Sequence, residues 1–188
     1  MKYAVMALLL FAATPDGMAP LPAQYLKGGT FSSPDGWFAV HAPDGSEWLE
    51  MQRFDGGDPR WPDAAHDRVA WYVRGAKMPE SLLVMESYRL NGEPLDDAYG
   101  KAIEPSVSGE ARLHGDTISD YSYQLITTPV RGIRYTYRKT QKDGTSKWRF
   151  WYATGTKHKV FLESSSAVNV EPKWLSGVVQ SFRWLKNP

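Results

Sequence analysis

The chain has no cysteine, almost no net charge and no apolar run long enough to span a bilayer. Without cysteine, disulfides, thiol catalysis, zinc–thiolate sites and lipid attachment at an N-terminal cysteine are all excluded. With 22 Lys and Arg against 21 Asp and Glu, no global field draws the chain to nucleic acid or to an anionic membrane. The basic clusters Arg131-Arg134-Arg138-Lys139 and Lys157-Lys159 read as the wet face of strands. The longest apolar run, Tyr3 to Ala13, falls well short of the roughly 20 residues a membrane helix needs.

That short run nevertheless carries information. Lys2 precedes it, Thr14-Pro15-Asp16-Gly17 breaks it, and small residues follow at Ala19 and Ala23. This is the layout of a secretory signal peptide, expected to occupy residues 1–23. Cleavage after Ala19 puts Pro20 beside the scissile bond, so Ala23 is the favoured site. Export to a periplasmic or extracellular space is the expectation, with no stable membrane anchor after cleavage. Residues 24–33 then form a polar lead and 34–188 a single domain, long enough for one core.

Eight Trp, ten Tyr and seven Phe favour pleated, half-buried surfaces. Pro-Asp-Gly recurs at 15–17, 34–36 and 43–45 as a turn cassette. The turn at 34–36 launches a strand with Phe38, Val40 and Ala42 on one face, and the turn at 43–45 leads to Glu47–Phe54 as its hairpin partner. Asp55 to Asp63 reads as a loop, Val69, Trp71 and Val73 alternate in a strand, and Leu82 to Leu90 makes another. A short helix is predicted with Pro94 in its first turn and a stop at Glu104-Pro105. Four period-two segments follow, carrying Tyr121-Tyr123-Leu125, Ile133-Tyr135-Tyr137, Trp148-Phe150-Tyr152 and His158-Val160-Leu162, and they predict an antiparallel meander. A closing helix opened by Pro172 shows Trp174, Val178, Phe182 and Leu185 on one stripe. The fold class is α+β, an antiparallel sheet of about six to seven strands covered by helices.

Three stretches resemble the PsbP-like superfamily. They are Pro34-Asp35-Gly36-Trp37-Phe38-Ala39-Val40 with Pro43 beyond, Tyr135-Thr136-Tyr137 with Gly144 and Trp148-Arg149-Phe150, and the closing Val179-Gln180-Ser181-Phe182-Arg183. The resemblance covers most of residues 31–186 and implies an α/β/α sandwich. Members of that superfamily include a photosystem accessory protein, a Ran-GTPase-release factor and small bacterial envelope proteins. It implies a binding or assembly role rather than catalysis and carries no ligand residues with it.

The chemistry-bearing motifs are few. The chain lacks a Gly-x-Ser-x-Gly elbow, a Gly-rich phosphate loop, a His-Glu-x-x-His pair and an EF-hand loop. His41, His66, His114 and His158 lie too far apart in sequence for a local metal pair, so no metal or cofactor is expected. His158 falls in the apolar phase of its strand, which suits a core-edge residue. His66 with Asp63 and Asp67 could form part of a general-base site in a hydrolase or metal-dependent enzyme, or be a solvated loop histidine. Asp55, Asp58 and Asp63 lack calcium-loop spacing, and nothing near Ser164-Ser165-Ser166 activates a nucleophile.

The candidate partner-binding residues are Trp61 with Arg60, in the loop, and Trp151 with Arg149, on the strand face opposite Trp148 and Phe150. Aromatic and arginine side chains are the usual anchors of protein interfaces. For Trp151 the competing reading is burial beneath a helix. The expected function is therefore an exported accessory protein working through contact with another envelope protein. A hydrolase built on His66, and a small-ligand carrier with an aromatic pocket between sheet and helix, stand as alternatives. Intact-mass measurement on the exported protein should find a mature chain starting at Gln24; a chain retaining Met1 in the medium or periplasm refutes the leader assignment.

Overall fold

In the computed structural model the described residues are 19–20, 26–27, 29–33, 36–41, 47–55, 64–73, 81–89 and 92–188, with side chains described for 29–33, 36–41, Val84 and 92–188. The elements in chain order are β1 (Ala19–Pro20), β2 (Leu26–Lys27), β3 (Thr30–Ser32), β4 (Phe38–His41), β5 (Glu47–Asp55), β6 (Ala64–Val73) and β7 (Ser81–Arg89). Helix α1 (Asp97–Leu113) leads to β8 (Thr117–Ile126), β9 (Gly132–Thr140), β10 (Ser146–Gly155) and β11 (His158–Ser166), and the chain closes with α2 (Lys173–Ser181) and β12 (Arg183–Trp184).

Eight strands form one antiparallel sheet in the order β1-β5-β6-β7-β11-β10-β9-β8. It is two meanders, β5 to β7 and β8 to β11, joined where β7 pairs with β11. The smaller sheet runs β12-β4-β3-β2. The architecture is α+β with antiparallel sheets and two helices.

The four-stranded meander expected from the alternation is present as β8 to β11, but its central strands bury both faces. In β10 and β11 the row Phe150, Val160 and Leu162 meets Phe38, Val40, Leu175 and Val178 of the small sheet and α2. The opposite row, Trp151, Ala153 and Phe161 with Ile133 and Tyr135 of β9, lies under Leu95, Tyr99 and Ile103 at the start of α1. Register explains the match: Tyr135 and Glu163 flank Trp151, while Ile133 and Phe161 flank Ala153. Each fully buried side chain of this kind contributes about 1.5–3 kcal/mol.

The expected hairpin of β4 with Glu47–Phe54 does not form. Strand β4 pairs with β3 and β12, and β5 pairs with β6 and β1, so the two belong to different sheets. Two-sided burial is the reason. Phe38 and Val40 are fully buried and Ala39 is 1% exposed, so β4 needs apolar cover that a single hairpin cannot supply. Ala42 and the turn at 43–45 lie outside the described residues.

Helix α1 also departs from expectation. Its N-cap is Asp96, whose carboxylate accepts from the Tyr99 N–H at 2.9 Å, so Pro94 stands outside the helix. It runs through Pro105 instead of stopping there. Pro105 withholds an amide from the Lys101 carbonyl, but both residues are exposed, so water satisfies that group. The inward stripe Tyr99, Ile103, Val107 and Ala111 continues past the proline at four-residue spacing and holds the helix on the sheet.

The closing helix ends earlier than its stripe suggests. The Ser181 hydroxyl donates to the Val178 carbonyl at 2.7 Å and accepts from the His41 N–H at 2.8 Å. That competition with the helical ladder releases Phe182 into an extended conformation, where its ring stacks on Phe38 at 5.5 Å. Leu185, expected on the buried stripe, is 48% exposed.

Trp151→Ala should cost about 3–5 kcal/mol of unfolding free energy in urea titration, since the cavity lies between sheet and helix. Leu113→Ala, at an 81% exposed position, should change it by no more than about 0.5 kcal/mol.

Candidate functional site at one end of the sheet

The mouth of a pocket of about 330 Å³ opens where four distant segments meet. They are the entry to α1 (Pro94, Leu95), the link into β9 (Val130, Arg131, Gly132), the β10–β11 turn (Thr154, Gly155, Thr156) and the C-terminal segment (Trp184, Pro188). Hydrogen bonds lock the walls together. The Thr154 hydroxyl donates to the Arg131 carbonyl at 2.8 Å and accepts from the Trp184 indole N–H at 3.4 Å. The Thr156 hydroxyl donates to the main-chain oxygen of Pro188 at 2.7 Å. Gly155 closes the turn with φ +103°, and a Cβ there would collide with the His158 carbonyl, so no other residue fits.

Beneath this end, His158 is fully buried and stacks on Trp37 at 4.4 Å, with Trp184 edge-on at 6.0 Å. His158 thus lies inside the core rather than at its edge, and it fixes the orientation of Trp184 as a wall. Pro94, Arg131 and Thr156 are exposed at the rim. Among the described residues of the lining Arg131 is the one ionisable side chain, and both threonine hydroxyls already donate to main-chain oxygens. Such a lining can receive an apolar group beside a cation; it offers no positioned base or activated nucleophile.

Among the described residues, ion pairs join ionisable groups of the domain. Arg149 donates to Glu163 at 2.5 Å, with side chains 18% and 2% exposed. Burial pushes the Glu163 carboxyl above its ordinary range, and Arg149 pulls it back. Burial also works against the Arg149 charge, which Glu163 and Tyr137 sustain. Lys139 and Asp116 pair at 2.9 Å near the C-terminal end of α1. On the opposite face Arg134 pairs with Glu171 at 2.5 Å, and the Tyr152 hydroxyl donates to Glu171 at 3.0 Å. The Tyr152 hydroxyl is pushed up to about 12 by burial, with Glu171 adding to it.

Two of the four partner-binding candidates are thereby corrected. Trp151 is 1% exposed, stacked on Tyr135 at 5.7 Å beneath α1, and Arg149 is spent on Glu163; neither is a surface anchor. Alternation in β10 left both readings of this face open, partner contact and cover by a helix, and α1 covers it. Trp61, Arg60, Asp58 and Asp63 lie outside the described residues. His66 and Asp67, expected in a loop, stand consecutively in β6, opposite Tyr88 and Ser87 of β7. His41 shares a hydrogen bond with Thr30 at 3.1 Å, and His114 meets Glu110 at 3.1 Å. Among the described residues no three His, Asp or Glu side chains converge as metal ligands, and no helix is long and apolar enough to cross a membrane. Ser164 is buried at 1% exposure.

Sequence reasoning missed the pocket because its walls come from four separate segments. The link Thr127–Gly132 and the turn Thr154-Gly155-Thr156 were legible only as turns. No protein-family model matches the chain, and no curated protein is significantly similar to it.

Asp116 offers a pH-dependent test of the ion pairs. Its carboxyl is held below the usual range by the hydrogen bond from Lys139, against the opposing effect of burial. The folded state therefore binds this proton more weakly than the unfolded chain does. Its stabilisation is fully present above the ordinary carboxylate range, about pH 4, and is lost as pH falls through the lower folded value. Asp116→Asn should lower stability at pH 7 and flatten the acid limb of a stability–pH profile; an unchanged acid limb refutes the assignment.

Proposed function

We propose that this chain is an exported accessory protein of PsbP-like sandwich type that works by binding another envelope protein, without chemistry of its own. The observation that carries this reading is the lining of the end-of-sheet pocket. Among the described residues, apolar walls from Leu95, Val130 and Trp184 stand beside a single cation, Arg131, and the hydroxyls are internally committed. An exposed rim suits a protruding side chain of a partner better than an engulfed small molecule. The cation favours a partner segment that places a carboxylate next to an apolar or aromatic residue.

The leader pattern in residues 1–23 and the resemblance across 31–186 support the compartment and the fold type. The internal ion pairs support a binding role, since they consume charged side chains that catalysis would need free. The test is site-specific photocrosslinking in cells exporting the protein, with the probe at Lys157, beside the rim, or at Arg112, exposed at the far end of α1. A discrete protein adduct should form from position 157 and not from 112, and Arg131→Glu should weaken it at least tenfold. Equal adducts from both positions, or none from 157, refute the proposed site.

A further inference from the structure

The sheet ends in an unguarded strand. Among the described residues β8 pairs only with β9, leaving its outer row of main-chain N–H and C=O groups open. Natural sheets blunt such edges with charges, proline or a bulge. The first half of β8 is protected in this way: Asp120 adopts φ +56° and the register slips between Ser119 and Ser122. Beyond it, Tyr121 to Val130 contains no charged residue, and proline appears only at Pro129, after the strand has ended. Ser122 and Gln124 are exposed, and Leu125 is 48% exposed.

We propose that this edge joins a second copy of the same chain, β8 against β8 in antiparallel register about a two-fold axis within Tyr121–Ile126. Three observations favour a second copy over a foreign strand. The uncharged window is its own complement, so self-pairing opposes no like charges. Helix α1 lies over β8 and β9, and strands pair about 4.8 Å apart. A two-fold axis normal to the sheet therefore keeps both helices on one face, on either side of the new seam. The nearest charges on α1 are also self-complementary. Asp97 accepts from the Tyr123 hydroxyl of β8 at 2.6 Å and pairs with Lys101 at 2.5 Å, so each copy carries one acid and one base beside this strand. Strand pairing plus helix contact enlarges the interface toward the 1,200 Å² or so that stable dimers bury.

The test is sedimentation equilibrium of the purified protein from about 1 to 200 µM, the range in which a micromolar dimer dissociates. The wild type should pass from monomer to dimer. Leu125→Lys and Gln124→Lys, which guard the edge from opposite faces of the strand, should each weaken association at least tenfold. Val170→Lys, at a 63% exposed position away from β8, should leave it unchanged. Amide exchange on the unsubstituted protein reads the same surface: residues 121–126 should exchange more slowly at high concentration. A monomer throughout, a dimer indifferent to both lysines, or protection confined to another segment overturns the proposal.

Discussion

The structure depends on one constraint, that β10 and β11 are apolar on both faces and must be covered twice. A strand with one wet face could end its sheet at the surface. These strands cannot, since Phe150 and Trp151, adjacent in sequence, are each at most 2% exposed on opposite sides. The cover on one side is α1, and on the other it is α2 with the small sheet. The positions of α1, α2 and the small sheet follow from that demand, as does the persistence of α1 beyond Pro105.

The same constraint disposes of the charges. Arg149, Glu163, Lys139 and Asp116 sit on strands or links that become buried once α1 docks, so each needs a partner within the fold. Such pairs add less to stability than their short distances suggest, because desolvation offsets the attraction. Their consequence is directional: removing one member strands the other, and the pairs tie β10 to β11 and β9 to the link between α1 and β8. Among the described residues the surface that remains includes a pocket wall with a cation at Arg131 and, in the second half of β8, a sheet edge without charge.

Much of the fold was legible in the sequence. The four alternating segments of the second meander, the strand at Leu82, and the helices near Asp97 and Pro172 could be read from periodicity and turn chemistry, which are local. The failures share a cause. Leu185 looked like a helical stripe residue, but Ser181 turned the chain toward β4 because His41, far away in sequence, supplied a hydrogen bond. Trp151 stood between two readings, interface anchor or cover by a helix, because alternation reports two faces without saying what covers either. The pocket was invisible because its four segments meet only when the sheet forms.

The sequence by itself determined the alternation of the strands, the absence of disulfide staples, the near-neutral charge and the leader-like start, since these are properties of composition and of neighbours along the chain. Tertiary structure alone decided which strand faces are buried, which charges pair, where α1 and α2 end, and where a pocket opens. The physical reason is that burial and desolvation depend on surfaces far apart in sequence, and a period of two or of four residues identifies a face without naming its partner.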